Sequence, residues 1–298
     1  MKKIIPPLAI IFAALLWSID GFLRQELYSI SSFVIVTLEH LIGGLFFLPL
    51  LFRNFSQLKR LGQKEWISIL WISICGGVLG TYFYTKALSY VNYIDLSVVV
   101  LIQKLQPLFA ISLAGIILKE RLSKRFIGLA LVAMAGGYLV TFGNQSFLPW
   151  NDKTLIASLC ALLASFCWGS STVLGKHALR ELSFGVLTGL RLLITAIFAM
   201  FILVFTSATS EIFNLTIENY KIIIIIVFST GTVALSIYYY GLKRLPASHT
   251  TIYELAWPLS AVFLDWSLRG NTLSPIQLLG ATILLVSMAI LTRENSNE

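Results

Sequence analysis

Long apolar runs alternate along this chain with short segments of polar or basic residues. Most runs are about twenty residues long, the length that an α-helix needs to cross a bilayer core of about 30 Å. The pattern predicts ten helices, here called spans 1 to 10, over residues 4–24, 33–53, 65–86, 94–118, 124–143, 154–176, 183–206, 219–241, 247–269 and 274–292. The predicted fold class is therefore all-α integral membrane, with ten transmembrane helices.

Composition supports a membrane protein. Hydrophobic residues make up 57% of the 298 residues, charged residues 12%, and the mean hydropathy is +0.84. A soluble domain carries about twice that charged fraction. The opening "MKKIIPPLAIIFAALLW" resembles a signal peptide, but its apolar run is long enough to span, and span 6 is its counterpart. We therefore expect it to be the first span.

The formal charge of +8 indicates orientation rather than nucleic-acid binding. If the N-terminus lies inside, most lysines and arginines fall in the inner segments, as the positive-inside rule requires. Both termini are then cytoplasmic, and the short tails and loops favour a bacterial inner membrane. The three cysteines fall inside spans, and no metal-ligand spacing occurs, so neither a metal nor a cofactor is predicted.

The second half of the chain repeats the first at a constant offset of 151 residues. The matched identities include Trp17 with Trp168, Gly80 with Gly231, Thr81 with Thr232, Ser97 with Ser248, and Pro107 with Pro258. Residues 1–143 and 154–293 are therefore predicted to be two five-helix repeats. Because five is odd, the second repeat must be inverted in the membrane. Inverted repeats around a midplane site are the usual architecture of alternating-access transporters.

Four segments carry a resemblance to a known family. They are "YIDLSVVVLIQKLQPLFAISLAGIILKERLS" (93–123), "CWGSSTVLGKHAL" (167–179), "LTGLRLLITA" (187–196) and "LPASHTTIYELAWPLSAVF" (245–263). Together they resemble the EamA-type branch of the drug/metabolite transporter superfamily, and the resemblance covers nearly the whole chain. It implies this fold and a small-metabolite substrate, since the family carries amino acids, other metabolites and drugs on one scaffold.

The chain departs from the family pattern at two places. Members often have Glu just before the prolines, where this chain has Gln106 and Trp257. The "GE" that commonly follows is Lys119-Glu120 in the first half and Gly270-Asn271 in the second. Roles of those family glutamates therefore cannot be transferred to positions 106, 257 or 271.

The polar residues inside spans 4 and 9 are the first candidates for a substrate site. A central lysine costs about 2.5–3.5 kcal/mol to insert, so Lys104 should face a cavity or a counter-charge. Its alternatives are snorkelling or a structural ion pair with Glu254, which corresponds to Gln103 at the repeat offset. The candidate substrate contacts are Lys104, Gln103, Gln106, Glu254, Trp257, Tyr253, Thr250, Tyr82, Trp17 and Trp168.

Four further charged or titratable residues lie within the spans. Glu39 and His40 of span 2, together with Glu254, are candidates for proton coupling, although a buried histidine is more often simply hydrogen-bonded. His40 aligns with Arg191 of span 7, which we expect to be structural and bonded to backbone carbonyls of a neighbouring helix. Asp20 is one turn from Arg24, which predicts a surface or interfacial pair.

These features together predict a secondary transporter, an exporter or exchanger, that works by alternating access and is not an enzyme. A cation beside an anion in the site fits amino acids or zwitterionic derivatives such as S-adenosylmethionine. The alternatives are an organic-anion or sugar-phosphate carrier and a cationic-drug exporter. The expected partners are a small-molecule substrate and the lipid bilayer, with no nucleic acid; a homodimer is left open. No membrane-enzyme motif is found, and a channel would need a continuous polar pore.

Overall fold

The chain is almost entirely helical within the residues that the structure, a computed structural model, describes. These are residues 3–27, 29–88, 102–103, 105–142, 152–206, 209–269 and 274–297, and they contain no β-strand. The helices of the first half are α1 Ile5–Gln25, α2 Ser32–Arg53, α3 Phe55–Lys59, α4 Gln63–Trp71, α5 Gly80–Leu88, α6 Gln106–Leu113 and α7 Lys124–Phe142. Those of the second half are α8 Asp152–Ala178, α9 Phe184–Phe205, α10 Ser210–Phe213, α11 Ile217–Ile226, α12 Thr232–Arg244, α13 Ala247–Tyr253, α14 Ala256–Arg269 and α15 Pro275–Asn297.

The hydropathy pattern places most of these helices within a few residues. Among the described residues, seven helices are long and apolar enough to cross a membrane, and Ile5–Asp20 and Gln106–Leu118 are shorter apolar helices. The all-helical class and the apolar spans are thus confirmed. The count of ten spans and the inversion of the repeats stay predictions. Part of span 4, residues 94–101 and Lys104, lies outside the described residues.

Span 9 is not the continuous helix that the sequence pattern predicts. It is divided into α13 and α14, and the break falls at Glu254. The cause is Pro258, which has no N–H to donate to the carbonyl four residues earlier. That carbonyl belongs to Glu254, and it accepts the N–H of Trp257 instead, at 3.0 Å. The break therefore lies at the residue that the sequence singled out.

Spans 3, 4 and 8 contain π-helical segments that the sequence pattern did not indicate. Residues Ile72–Leu79 join α4 to α5, Ala114–Leu118 follow α6, and Val227–Gly231 join α11 to α12. The widened backbone of such segments is common at functional sites. In the first segment, the carbonyls of Ser73 and Gly76 accept side-chain donors from helices of the second half.

The two halves of the chain are packed against each other helix by helix. The contacting pairs are α2 with α9, α7 with α15, α1 with α12, α5 with α8, and α6 with both α8 and α13. Small residues allow these close approaches, as in Gly76-x-x-x-Gly80 of span 3. A Cβ at Gly76 would lie 2.6 Å from Ser171 Oγ, and one at Gly80 would lie 2.6 Å from Trp168 Nε1. Helices α1, α6, α8, α12 and α13 therefore converge from both halves.

We expect Gly280→Ala to destabilise the protein through the α7–α15 contact. A Cβ there would lie 2.7 Å from the carbonyl oxygen of Gly136 and 2.7 Å from the backbone nitrogen of Val140. Forcing these backbones apart should cost about 1–3 kcal/mol, measured as a lower midpoint of thermal unfolding in detergent. The control is Gly128→Ala on α7, where a Cβ has nothing within 4 Å. An equal loss in both variants would contradict the packing argument.

Candidate functional site

Glu254 is the centre of a polar group built from helices of both halves. Its carboxylate accepts a hydrogen bond from Gln106 Nε2 at 2.6 Å, from the Tyr238 hydroxyl at 2.7 Å, and from the Thr172 hydroxyl at 3.4 Å. These donors come from α6, α12 and α8. The Thr172 hydroxyl is also 2.8 Å from the Tyr238 hydroxyl, so its single proton can be donated either to that oxygen or to the carboxylate. The carboxylate thus ties together elements that are distant in the sequence.

Two glutamines extend this group towards the start of α6. Gln103 Nε2 donates to Gln106 Oε1 at 3.2 Å, so the amides form a chain that ends at the Glu254 carboxylate. At the other end of this series of hydrogen bonds, the side-chain oxygen Gln103 Oε1 is buried and has no hydrogen-bond partner in the described part of the molecule. The carboxylate and this oxygen make the site rich in acceptors.

Aromatic rings from four helices stand beside this polar group. Trp17 of α1 contacts Tyr238 of α12, with ring centroids 5.1 Å apart. Tyr84 of α5 contacts Trp168 of α8 at 5.3 Å. The Trp168 indole N–H donates to the Gly76 carbonyl at 3.2 Å, which fixes the orientation of this ring. Both tryptophans are only half-buried, so packing does not cover their rings completely.

A second polar cluster connects α1 with α2 and with the π-helical segment before α12. Arg24 binds the Asp20 carboxylate through Nε and the Glu39 carboxylate through Nη2, the latter at 2.7 Å. The hydroxyl of Thr230 donates to the other Asp20 oxygen at 2.5 Å. Gly231 lies so close that an added Cβ would be 2.9 Å from Glu39 Oε1. The Asp20–Arg24 pair expected from spacing is present, and its contacts with Glu39 and Thr230 join three elements.

Arg191 and His40 lie near this second cluster, and each makes a hydrogen bond of its own. Arg191 Nη1 donates to the Tyr239 hydroxyl at 2.9 Å, and its guanidinium lies 5.8 Å from the centroid of that ring. The expected backbone-carbonyl partners of Arg191 are therefore replaced by a tyrosine hydroxyl. His40 Nδ1 is 2.9 Å from the Val36 carbonyl oxygen, the local hydrogen bond that a buried histidine commonly makes.

Three other sequence candidates belong to spans 4 and 9. Lys104 of span 4 lies outside the described residues. Tyr253 and Thr250 are fully buried, and their hydroxyls bond Thr292 of α15 at 3.1 Å and the Pro246 carbonyl at 2.9 Å. These contacts put both residues in the packing around α13 rather than among the donors of Glu254.

Two aromatic candidates have different surroundings from those expected. Tyr82 is stacked on Phe33 of α2, with centroids 5.2 Å apart, whereas Tyr84, two residues later, reaches Trp168. Trp257 is half-buried and packs against the main apolar core. The structure therefore adds Tyr84 to the aromatic set and places Tyr82 in a separate stack.

The candidate residues chosen from the sequence did not include Thr172, Tyr238 or the contact of Arg24 with Glu39. Thr172 follows Trp168 by one helical turn, so its position on the same face of α8 was a usable signal. Tyr238 has an aromatic ring with a polar hydroxyl, which suits a site or an interface equally well. Its partner Glu254, like Glu39 as the partner of Arg24, belongs to another helix and could not be inferred from spacing.

The arrangement can bind a small molecule that presents hydrogen-bond donors together with a flat apolar face. Glu254 and Gln103 supply acceptors, Gln106 supplies an amide that both donates and accepts, and the tryptophans supply ring faces. No group of three or more His, Cys, Asp or Glu side chains that could hold a metal ion occurs among the described residues.

Comparison with known proteins identifies what the chain is similar to. The model of the EamA-like transporter family matches residues 5–142 and 155–293. The "Riboflavin transporter ImpX" of Fusobacterium nucleatum is 37% identical over 294 residues, 97% of each chain. "Protein LicB" of Haemophilus influenzae is 25% identical over 292 residues, 95% of each chain. One solved crystal structure superposes with a TM-score of 0.76 at 18% identity, covering 98% of each chain, and shows the fold alone.

We expect Arg24→Met to destabilise the protein strongly. Glu39, with only 8% of its side chain exposed, would lose its cationic partner, and breaking such a pair costs about 3 kcal/mol or more. The measurement is the thermal unfolding midpoint in detergent. The control is Lys221→Met, because the Lys221–Glu218 pair is 61% and 73% exposed and should contribute under about 1 kcal/mol. Equal midpoints for the two variants would show that Arg24 forms only a surface pair.

Proposed function

The chain belongs to the EamA-like transporter family, and from this premise we propose that it carries riboflavin, or a closely similar flat heterocycle, across the membrane. The substrate binds at the group centred on Glu254. The family membership gives a small-molecule transporter, and the choice of riboflavin is ours.

The observation that carries the proposal is the set of acceptors placed beside aromatic rings. Riboflavin has a planar ring system with an imide N–H between two carbonyls, and a hydroxylated side arm. The imide N–H can donate to the Glu254 carboxylate while the Gln106 amide donates to a neighbouring carbonyl. The ring system can stack on Trp17 or Trp168, an interaction that favours flat molecules. The relative named as a riboflavin transporter, 37% identical over nearly the whole chain, supports the same choice.

The hydroxylated arm also fits the acceptor-rich character of the site. Its hydroxyls can donate to Gln103 Oε1, the buried oxygen that lacks a partner among the described residues. An unsatisfied buried acceptor costs about 1–3 kcal/mol, so a donor from the substrate would bring a substantial gain. A sugar phosphate also carries hydroxyls, but it has no flat ring to stack on the tryptophans, and its anionic phosphate would be repelled by the Glu254 carboxylate. The sugar-phosphate alternative is therefore the weaker one.

Amino acids and S-adenosylmethionine remain the second candidate class. The observation in their favour is the Glu254 carboxylate, which can bind the ammonium group that all of them carry. Their carboxylate would need a cation, and the residue expected to supply it, Lys104, lies outside the described residues. The two classes are separated by experiment.

We expect riboflavin to raise the thermal unfolding midpoint of detergent-purified protein above that given by amino acids, S-adenosylmethionine or sugar phosphates. At one hundred times its dissociation constant, a ligand stabilises the folded state by about 2.7 kcal/mol, which gives a readable shift. A shift with amino acids or S-adenosylmethionine and none with riboflavin would replace the proposed substrate by a zwitterion.

The same assay tests Glu254 directly. Glu254→Gln should raise the dissociation constant of riboflavin about tenfold or more, because a hydrogen bond to a charged acceptor contributes about 1.5–3 kcal/mol. Glu218→Gln, which alters an exposed carboxylate paired with Lys221, should leave that constant unchanged. Unchanged binding in Glu254→Gln would remove this carboxylate from the site.

We also propose that transport is coupled to protons through Glu254, with Glu39 and His40 as the alternative carriers. Glu254 is preferred because its carboxylate would touch the substrate, whereas Glu39 is committed to Arg24 and His40 to a backbone carbonyl. In proteoliposomes, an imposed pH gradient should drive net riboflavin flux in the wild type but not in Glu254→Gln. Exchange of labelled for unlabelled riboflavin should persist in that variant. Gradient-driven flux that survives the substitution would exclude Glu254 as the carrier.

A further inference from the structure

Helix α13 is a short separate segment whose start is bound by a side chain from the other half of the chain. The carboxylate of Glu120 accepts the backbone N–H of Ala247 at 2.6 Å and that of Ser248 at 3.0 Å. It also accepts the Ser248 hydroxyl at 2.5 Å. One carboxylate thus takes three hydrogen bonds from two consecutive residues, and charge-assisted bonds of this kind are about twice as strong as neutral ones.

The segment that carries Glu120 is itself held in a defined conformation. Lys119, which ends the π-helical segment after α6, is in the left-handed region with φ of 56°. The Glu120 N–H then donates to the Ala114 carbonyl at 3.2 Å. Slightly further on, Phe126 of α7 stacks on His249 of α13, with ring centroids 4.7 Å apart and planes 21° apart. The left-handed turn directs the Glu120 side chain to α13, and the ring stack supports the same helix.

The position of Glu254 depends on where α13 lies. Glu254 follows the last residue of α13 directly, and its N–H donates to the Thr250 carbonyl at 3.1 Å. Because the helix is interrupted at Glu254, α14 cannot hold this residue in place through a continuous helical backbone. A shift at Ala247 and Ser248 is therefore transmitted along two helical turns to the carboxylate that binds Gln106 and Tyr238.

We propose that Glu120 is a positioning residue for the substrate site, which acts by fixing α13 and through it the carboxylate of Glu254. The inference rests on the proposed function only in the choice of ligand. It also gives a structural role to Lys119-Glu120, the two residues that stand where the family commonly has "GE". The first residue makes the left-handed turn, and the second binds the helix of the other half.

A double-mutant cycle on riboflavin binding tests this proposal. Glu120→Ala should raise the dissociation constant at least about fivefold in the wild-type background. In the Glu254→Gln background, the same substitution should change it by less than about twofold, because the carboxylate that Glu120 positions is already lost. Glu120→Gln keeps an oxygen acceptor for the α13 N–H groups, so it should recover part of the riboflavin affinity. This milder variant keeps the proposal testable if Glu120→Ala does not fold.

The matched control is Glu65→Ala. The Glu65 carboxylate also accepts a backbone N–H, that of Gly62 at 3.0 Å, but it does so at the start of α4. A merely structural role for Glu120 predicts that Glu120→Ala lowers the thermal unfolding midpoint as Glu65→Ala does, with riboflavin affinity unchanged in both. That result, or full additivity of Glu120→Ala with Glu254→Gln, would overturn the proposal.

A second readout needs no ligand. Hydrogen exchange of the backbone amides in residues 247–254 should accelerate in Glu120→Ala and stay at the wild-type rate in Glu65→Ala. Unaltered exchange in Glu120→Ala would overturn the proposal independently of any substrate. If riboflavin does not bind the wild type, the proposed function fails, and exchange at 247–254 still decides whether Glu120 holds α13.

Discussion

A carboxylate inside a membrane protein must receive its hydrogen bonds from the protein, because the bilayer core contains no water to supply them. Glu254 meets this requirement with donors from three helices, namely Gln106 of α6, Thr172 of α8 and Tyr238 of α12. None of these helices can move far without leaving the carboxylate undersatisfied. The convergence of helices from both halves therefore depends in part on one acidic side chain. The same requirement explains the second cluster, where Arg24 binds both Asp20 and Glu39.

Interruptions in the helices make this arrangement possible. Pro258 ends α13 at Glu254, and Pro107 lies in the first turn of α6, next to Gln106. A break allows the backbone to turn and the adjacent side chain to enter the interior, as in the discontinuous helices that form transporter sites. The π-helical segment Val227–Gly231 has a comparable effect, since it brings Thr230 to Asp20. The fold and the candidate site therefore depend on the same departures from regular helix.

The sequence predicted the helices and selected residues that the structure brings together, but it did not predict the contacts between helices. Hydropathy placed the spans because length and apolarity are properties of single segments. The repeat offset selected Gln106 and Glu254, which the structure joins directly. The hydroxyls of Tyr253 and Thr250 bond Thr292 and the Pro246 carbonyl, and the spacing along span 9 did not indicate these partners. The contact of Arg24 with Glu39 and that of Glu120 with α13 could not be predicted, since spacing along one helix carries no information about a partner on another.

The most direct test is the fluorescence of riboflavin titrated with purified protein. Stacking of a flavin on tryptophan or tyrosine quenches its emission, so binding against Trp17 or Trp168 should quench it saturably. The account predicts saturable quenching in the wild type, weaker affinity in Glu254→Gln, and loss of most of the quenching in Trp168→Leu with binding retained. Tight riboflavin binding that leaves its fluorescence unquenched, or quenching equal in all three proteins, would contradict a site formed by Glu254 and these rings.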